Sequence, residues 1–182
     1  GTVALVGYTN AGKSTLFNAL VGTKVAITSP KPQTTRTNIR GILNDPRGQI
    51  VFIDSPGIFE SARGSLTRAV NEAAREALHG IDIAIYVVDP TRSIGTEEHR
   101  VHTLLRNITK PKILVYNKSD LPERERPYRD QYHDLVSGEQ FSGELEVSAL
   151  KRRNLNLLID LLFELLPEGE PLYEPGQVAD IP

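Results

Sequence analysis

The 182-residue sequence contains no cysteine, no methionine and no tryptophan, and aromatic residues make up only 6% of it. Without cysteine there is no disulfide framework and no thiolate zinc site. Stability must come from a buried apolar core, which 39% hydrophobic residues can build at this length as one domain. Long apolar runs are missing too. The longest extends from Ile83 to Val88, far short of the roughly 18 residues a membrane-spanning helix needs. No basic leader followed by an apolar segment opens the chain, so no secretory signal is read. Neither sign of charge dominates: 21 basic side chains face 23 acidic ones, a formal net charge of -2. A global positive field is thereby excluded, and any nucleic-acid contact is left to a local patch. These absences fit a reducing cytoplasm, the expected location. The chain starts directly on a strand-like run and lacks methionine, so its natural start is expected to be missing or processed.

Short β-branched or apolar runs alternate with longer helix-like segments. The runs are Thr2 to Val6, Ile50 to Asp54, Asp82 to Asp89, Lys112 to Tyr116 and Leu145 to Val147. The alternation reads as α/β with a mostly parallel sheet and helices on both faces. Ile39 to Leu43, followed by the turn signal Asn44-Asp45-Pro46-Arg47-Gly48, is placed to form a hairpin with Ile50 to Asp54. That gives six strands, one of them antiparallel. Near the end, Asn156, Asp160 and Glu164 recur every four residues while Leu155, Leu158, Leu162 and Leu165 mark the opposite side, the pattern of an amphipathic helix. Pro167 follows, and the proline-, glycine- and acid-containing stretch from Glu168 to Pro182 has linker composition. The globular unit is therefore expected over residues 1–166 and a linker over 167–182.

Gly7-Tyr8-Thr9-Asn10-Ala11-Gly12-Lys13-Ser14 fits the pattern G-x-x-x-x-G-K-S and lies between a strand and a helix, the context that gives the pattern meaning. Its glycines let the backbone turn so that N–H groups around Ala11, Ser14 and Thr15, aided by the helix N-terminus, surround phosphate oxygens. Lys13 supplies a point charge to the β- and γ-phosphates, and Ser14 a hydroxyl to Mg.

Asp54-Ser55-Pro56-Gly57 ends an apolar strand and places a carboxylate at the sheet's carboxyl edge, where it can hold a magnesium-bound water. Gly57 can bring an N–H to a γ-phosphate and leave when that phosphate does. Alone, D-x-x-G is more often an ordinary turn; its order after the phosphate loop favours function. Asn117-Lys118-Ser119-Asp120 points to guanine, because a carboxylate at Asp120 can accept from N1 and N2, a donor pair adenine lacks. Lys118 can lay its stem along the base and Asn117 can brace neighbouring loops. Ser148-Ala149-Leu150 is a weak signal by itself; its position after the last strand would set the Ala149 N–H against guanine O6. Thr35, with Thr34 as the neighbour it could be confused with, lies in a polar stretch able to bring a hydroxyl to magnesium when the γ-phosphate is present.

These five segments, in this order over residues 7 to 150, resemble the five G boxes of the translation-factor-like class of P-loop NTPase G domains. More narrowly, Ser29-Pro30-Lys31-Pro32-Gln33-Thr34-Thr35-Arg36 is similar to the S-x-K-x-Q-T-T-R loop of the Era family. Leu165-Leu166-Pro167-Glu168 and Tyr173-Glu174-Pro175 resemble the Era segment leading to a carboxy-terminal KH domain, which is expected to be absent from this chain. The box usually written D-T-P-G carries Ser55, and Tyr8-Thr9 replaces R-P; the phosphate-loop segment is also reminiscent of the related HflX group.

The resemblance implies GTP and GDP as ligands, magnesium-dependent hydrolysis of GTP, and a role in small ribosomal subunit assembly. RNA would be bound mainly through the KH domain, and peripheral membrane association is a further family trait. Lys13, Thr35 and Gly57 would be the catalytic set, and Ser14, Thr35 and, through water, Asp54 the magnesium set. Asn10 matches a phosphate-loop asparagine that helps bind K in several relatives. Ile58 occupies the place where Ras-like enzymes have a water-orienting glutamine, so slow intrinsic turnover is expected. The alternatives are a guanine-nucleotide-dependent binding switch with little turnover, and the G domain of a related tRNA-modification or ribosome-associated GTPase. Arg36, Arg40 and Lys151-Arg152-Arg153 offer local RNA contact, though solvated surface is the plainer reading. His99 and His102, three residues apart on one helix face, lack an evident partner and are assigned no role.

Overall fold

The computed structural model describes residues 1–8, 11–21, 23–28, 37–54 and 78–171. In chain order its elements are β1 (Thr2–Val6), α1 (Lys13–Leu20), β2 (Thr23–Thr28), β3 (Thr37–Asp45), β4 (Gly48–Asp54), β5 (Ile83–Val88), α2 (Thr96–Arg106), β6 (Lys112–Tyr116), α3 (Arg129–Val136), β7 (Gly143–Glu146) and α4 (Leu155–Leu165). One seven-stranded sheet runs in the order β2-β3-β4-β1-β5-β6-β7. All six expected strands are present, as β1 and β3 to β7. Five of them are mutually parallel and β3 is antiparallel. The seventh, β2, goes beyond the sequence expectation; it pairs antiparallel with β3 from Thr23↔Ile42 to Thr28↔Thr37. Its stretch carries Thr23, Val25, Ile27 and Thr28, β-branched residues suited to a strand.

The central strands are apolar on both faces because helices cover both. All six residues of β5 are buried. Ile83, Ile85 and Val87 join Leu16, Phe17 and Leu20 of α1 and Leu155, Leu158 and Leu162 of α4 in one core. Ala84, Tyr86 and Val88 join Val101 and Leu105 of α2 and Tyr132 and Val136 of α3 in the other. Burying each of these large side chains contributes about 1.5–3 kcal/mol. In α4 Leu155, Leu158 and Leu162 are buried and Leu165 partly so, while Asn156, Asp160 and Glu164 are exposed.

The β3–β4 hairpin is tighter than its five-residue turn signal suggests. Asp45 pairs with Gly48, leaving only Pro46 and Arg47 in the turn. The Arg47 N–H donates to Asp45 Oδ1 at 3.0 Å, and its guanidinium reaches Asp160 of α4 at 2.7 Å.

After α1 the chain builds the sheet on one side of β1, and from β5 onward on the other. The order therefore reverses at β1. In open α/β sheets that reversal leaves a crevice beyond the carboxyl ends of the strands, and the loops after β1, β4, β5, β6 and β7 all begin there.

Candidate nucleotide site

The loop after β1 is shaped by two glycines with no space for a side chain. A Cβ on Gly7 would run into the carbonyl oxygen of Val87 in β5. Gly12 sits at φ +86°, where its Cβ would also strike the Asn117 amide. Between them the Ala11 N–H donates to the Tyr8 carbonyl at 3.0 Å. The first turn of α1 has neither a side-chain cap nor an acidic residue. Its N–H groups and the positive end of the helix dipole thus remain available to an anion. Ser14 and Thr15 are exposed on that turn.

Lys13 is 1% exposed, and its Nζ lies 3.0 Å from Oδ1 of Asp54, the last residue of β4. Among the described residues neither atom has a well-directed hydrogen bond. A buried ammonium and carboxylate with unfilled hydrogen-bonding capacity are unfavourable unless further charged ligands complete them. Phosphate oxygens beside Lys13 and a hydrated divalent cation beside Asp54 and Ser14 would do so. The residues present therefore fit magnesium and phosphate.

Among the described residues, one buried side chain joins the loops after β6 and β7 to the phosphate loop. Asn117, 4% exposed, donates from Nδ2 to the Ala11 carbonyl at 2.9 Å and accepts the Ala149 N–H on Oδ1 at 3.0 Å. The Ala149 N–H, expected to face guanine O6, here donates to Asn117. Asp120 is held by Ser148, whose hydroxyl donates to Oδ1 at 2.8 Å and in turn accepts the Lys151 N–H at 3.0 Å. That hydroxyl keeps the Asp120 carboxyl below its ordinary pKa. Leu150 is 73% exposed at the tip of the turn.

Lys118 adopts a positive φ of 62° and its Nζ pairs with Asp89 Oδ2 at 2.7 Å. Asp89 is absent from the sequence-derived site, although a carboxylate ending the apolar run of β5 at the sheet's carboxyl edge is a legible signal. Burial pushes its carboxyl up, but hydrogen bonds from Lys118 and Thr91 outweigh that and leave it lowered. His102 also has a partner that sequence does not reveal, Glu139 Oε1 at 2.7 Å. Among the described residues no three His, Cys, Asp or Glu side chains cluster as a metal site. Asn10, Thr34, Thr35, Gly57 and Ile58 lie outside the described residues, as does the segment beyond residue 171.

Comparison with known proteins agrees with this geometry. A family profile described as "50S ribosome-binding GTPase" matches residues 2–118. GTPase Era of Heliobacterium modesticaldum is 41% identical over 184 residues, an alignment covering all of this chain and 60% of the relative. The chain thus spans about 60% of the length of the curated relatives it matches. Two crystal structures superpose on the whole chain. A point variant of Aquifex aeolicus Era bound to GDP and aluminium fluoride has a TM-score of 0.75 at 34% identity, with 62% of its length covered. An Era complex with MgGDPNP and nucleotides 1506–1542 of 16S ribosomal RNA has a TM-score of 0.76 at 36% identity, again with 62% covered. With the phosphate loop, the carboxylate at the end of β4 and the two tied loops after β6 and β7 in their places, the chain is similar over its whole length to Era proteins and belongs to the 50S ribosome-binding GTPase family.

Proposed function

We propose that this domain binds guanine nucleotide at the carboxyl edge of its sheet and hydrolyses GTP to GDP and phosphate, switching between two states that time a step in small ribosomal subunit assembly. The carrying observation is the linkage of the phosphate loop to both base loops by Asn117, beside an Asp120 held in place by Ser148. A carboxylate kept ionised and aimed by a hydroxyl accepts from guanine N1 and N2, and adenine would leave it unpaired. Sites built on such complementarity discriminate by about 10⁴ or more. With the Ala149 N–H engaged, the Leu150 N–H, bonded to no described residue, is the donor this turn offers to O6.

On the phosphate side, Lys13 and the first-turn N–H groups of α1 neutralise and orient the β- and γ-phosphates. Ser14, Thr35 and, through water, Asp54 would hold magnesium. When bound, that ion would supply positive charge to the phosphate oxygens. Thr35 and Gly57 are the residues expected to follow the γ-phosphate. Ile58 cannot orient water, so the attacking water is placed by backbone, another residue or a partner, and intrinsic turnover is slow. Asn10 is the residue for a potassium ion beside the phosphates. An Era relative bound to 16S ribosomal RNA, and relatives longer than this chain, support an RNA partner. We place that partner's main contact on a KH-type domain beyond the linker that begins at residue 167. No helix among the described residues is long and apolar enough to cross a membrane, and the cytoplasm is the proposed location.

Single-turnover hydrolysis of GTP tests the reading, in potassium and in sodium, with and without small-subunit RNA. Slow, magnesium-dependent release of phosphate, accelerated by potassium or RNA and lost in Lys13→Ala, is expected. Tight guanine-nucleotide binding with no turnover under any of these conditions would leave a binding switch in its place. Unchanged potassium stimulation in Asn10→Ala would remove Asn10 as the cation ligand.

A further inference from the structure

Of the three exposed basic residues after the base loop, Arg152 and Arg153 bond back onto the protein. Arg153 closes the turn: its N–H donates to the Ser148 carbonyl at 2.9 Å and its own carbonyl accepts the Ser148 N–H at 3.2 Å. Its guanidinium donates to the Ser119 carbonyl, inside the Asn117–Asp120 segment, at 3.0 Å. Arg152 reaches the other way and donates to the Ala19 carbonyl in the last turn of α1 at 3.1 Å. That carbonyl is among those a helix end leaves without an intrahelical partner, at the negative pole of the dipole. α1 has no basic residue of its own in that turn.

The backbone carries a second sign. Among the described residues, the non-glycine residues with positive φ are Lys118, Arg152 and Asn154, at 62°, 57° and 61°. All three lie in or directly after the base loops. L-residues hold this conformation when their surroundings impose it, and at position 152 the imposed element includes a side chain anchored on a different helix.

We propose that Arg152 is a positioning residue of the guanine site. It ties the turn that orients Asp120 to the far end of the helix whose near end receives the phosphates. The connection is continuous: Arg152 is fixed on α1, the adjoining Lys151 N–H fixes the Ser148 hydroxyl, and that hydroxyl fixes Asp120. A nucleotide spans both ends of this arrangement. Releasing the tether leaves the 148–153 bridge closed but lets the base loop shift against the phosphate site. The inference rests on the reading of Asp120 and the 148–150 turn as base-reading elements.

The test uses the 182-residue chain with Arg152→Ala, Arg152→Gly and Arg152→Lys, and four probes: GDP, ADP, inosine diphosphate and inorganic pyrophosphate. Inosine diphosphate lacks the N2 donor, and pyrophosphate lacks the base. Arg152→Gly removes the tether while relaxing the positive φ, so loss of fold cannot imitate loss of positioning. GDP dissociation should be about fivefold to tenfold faster in the alanine and glycine variants, the size expected for one lost hydrogen bond. The preference for GDP over inosine diphosphate should shrink, pyrophosphate affinity should stay within about twofold, and Arg152→Lys should recover most of the loss. Unchanged GDP dissociation in both variants overturns the proposal, as does an equal loss of GDP and pyrophosphate. A wild type that binds ADP as well as GDP overturns the base-reading assignment itself, a separate and recognisable failure.

Discussion

Replacing Asn117 with alanine removes the side chain that, among the described residues, joins the phosphate loop to the loop after β7. Two hydrogen bonds go, at 2.9 and 3.0 Å, and they leave a carbonyl at Ala11 and an N–H at Ala149 without partners. Both residues are buried, 1% and 4% exposed. An orphaned buried backbone group costs about 1–3 kcal/mol, and water entering the vacated space recovers part of that, so the sum is about 2–4 kcal/mol. In a domain of this size each kcal/mol lowers Tm by about 2–4 °C. The variant should therefore melt about 5 to 15 °C below the wild type. Because the same loops form the proposed nucleotide site, GDP affinity should fall by about 30-fold or more, the equivalent of about 2 kcal/mol. Thermal unfolding by circular dichroism, with and without GDP, reads the first quantity and calorimetric titration the second. Asn117→Asp sharpens the comparison: it preserves size and the acceptor for Ala149, but sets an oxygen against the Ala11 carbonyl where a donor stood. It should be at least as damaging as alanine. A fall of less than about 1 °C in Asn117→Ala, or an aspartate variant as stable as the wild type, refutes the reasoning.

Gly12→Ala should lower Tm and abolish measurable GDP binding, since a Cβ at φ +86° strikes the Asn117 amide; GDP affinity within about threefold of wild type contradicts this. Two carboxylates at the β5 end predict opposite pH effects, read as Tm across a pH series. Burial raises Glu98, whose partner is the Tyr86 hydroxyl, above its ordinary value of 4.5. Its contribution is complete below that value and is lost as pH rises through the folded pKa. Glu98→Gln keeps the acceptor for Tyr86 and should remove this decline, stabilising the fold at neutral pH. Despite burial, Asp89 is held below its ordinary value of 3.8 by Lys118 and Thr91. Its contribution is present above that value and is lost as pH falls through the folded pKa, so Asp89→Asn should flatten the acid limb.

The sheet and the phosphate loop are legible in the sequence because their signals are local. An apolar run, a glycine-rich turn and an amphipathic helix follow one another within Thr2 to Leu20, and the buried β5 and the leucine face of α4 obey simple periodicities. β2 escapes such a reading because its short β-branched stretch lies among polar residues and owes its pairing to β3 rather than to a pattern of its own. The base loops can be located in order but not in detail. Which acceptor takes the Ala149 N–H depends on Asn117, 32 residues earlier, and the partner of Arg152 is 133 residues away. No local pattern encodes such separations, so Lys151-Arg152-Arg153 reads as solvated charge. His102 likewise meets Glu139 only through packing of α2 beside the segment after α3.

The central claim is that Asp120 reads guanine within a site assembled by Asn117 and Ser148. Titration of GDP, xanthosine diphosphate and ADP against the wild type and Asp120→Asn, with magnesium present, tests it most directly. The account predicts a wild type that prefers GDP by orders of magnitude and a variant that loses GDP and gains xanthosine diphosphate, because an amide can pair with the O2 that replaces N2. Equal binding of ADP and GDP by the wild type, or an unchanged preference in the variant, would contradict it.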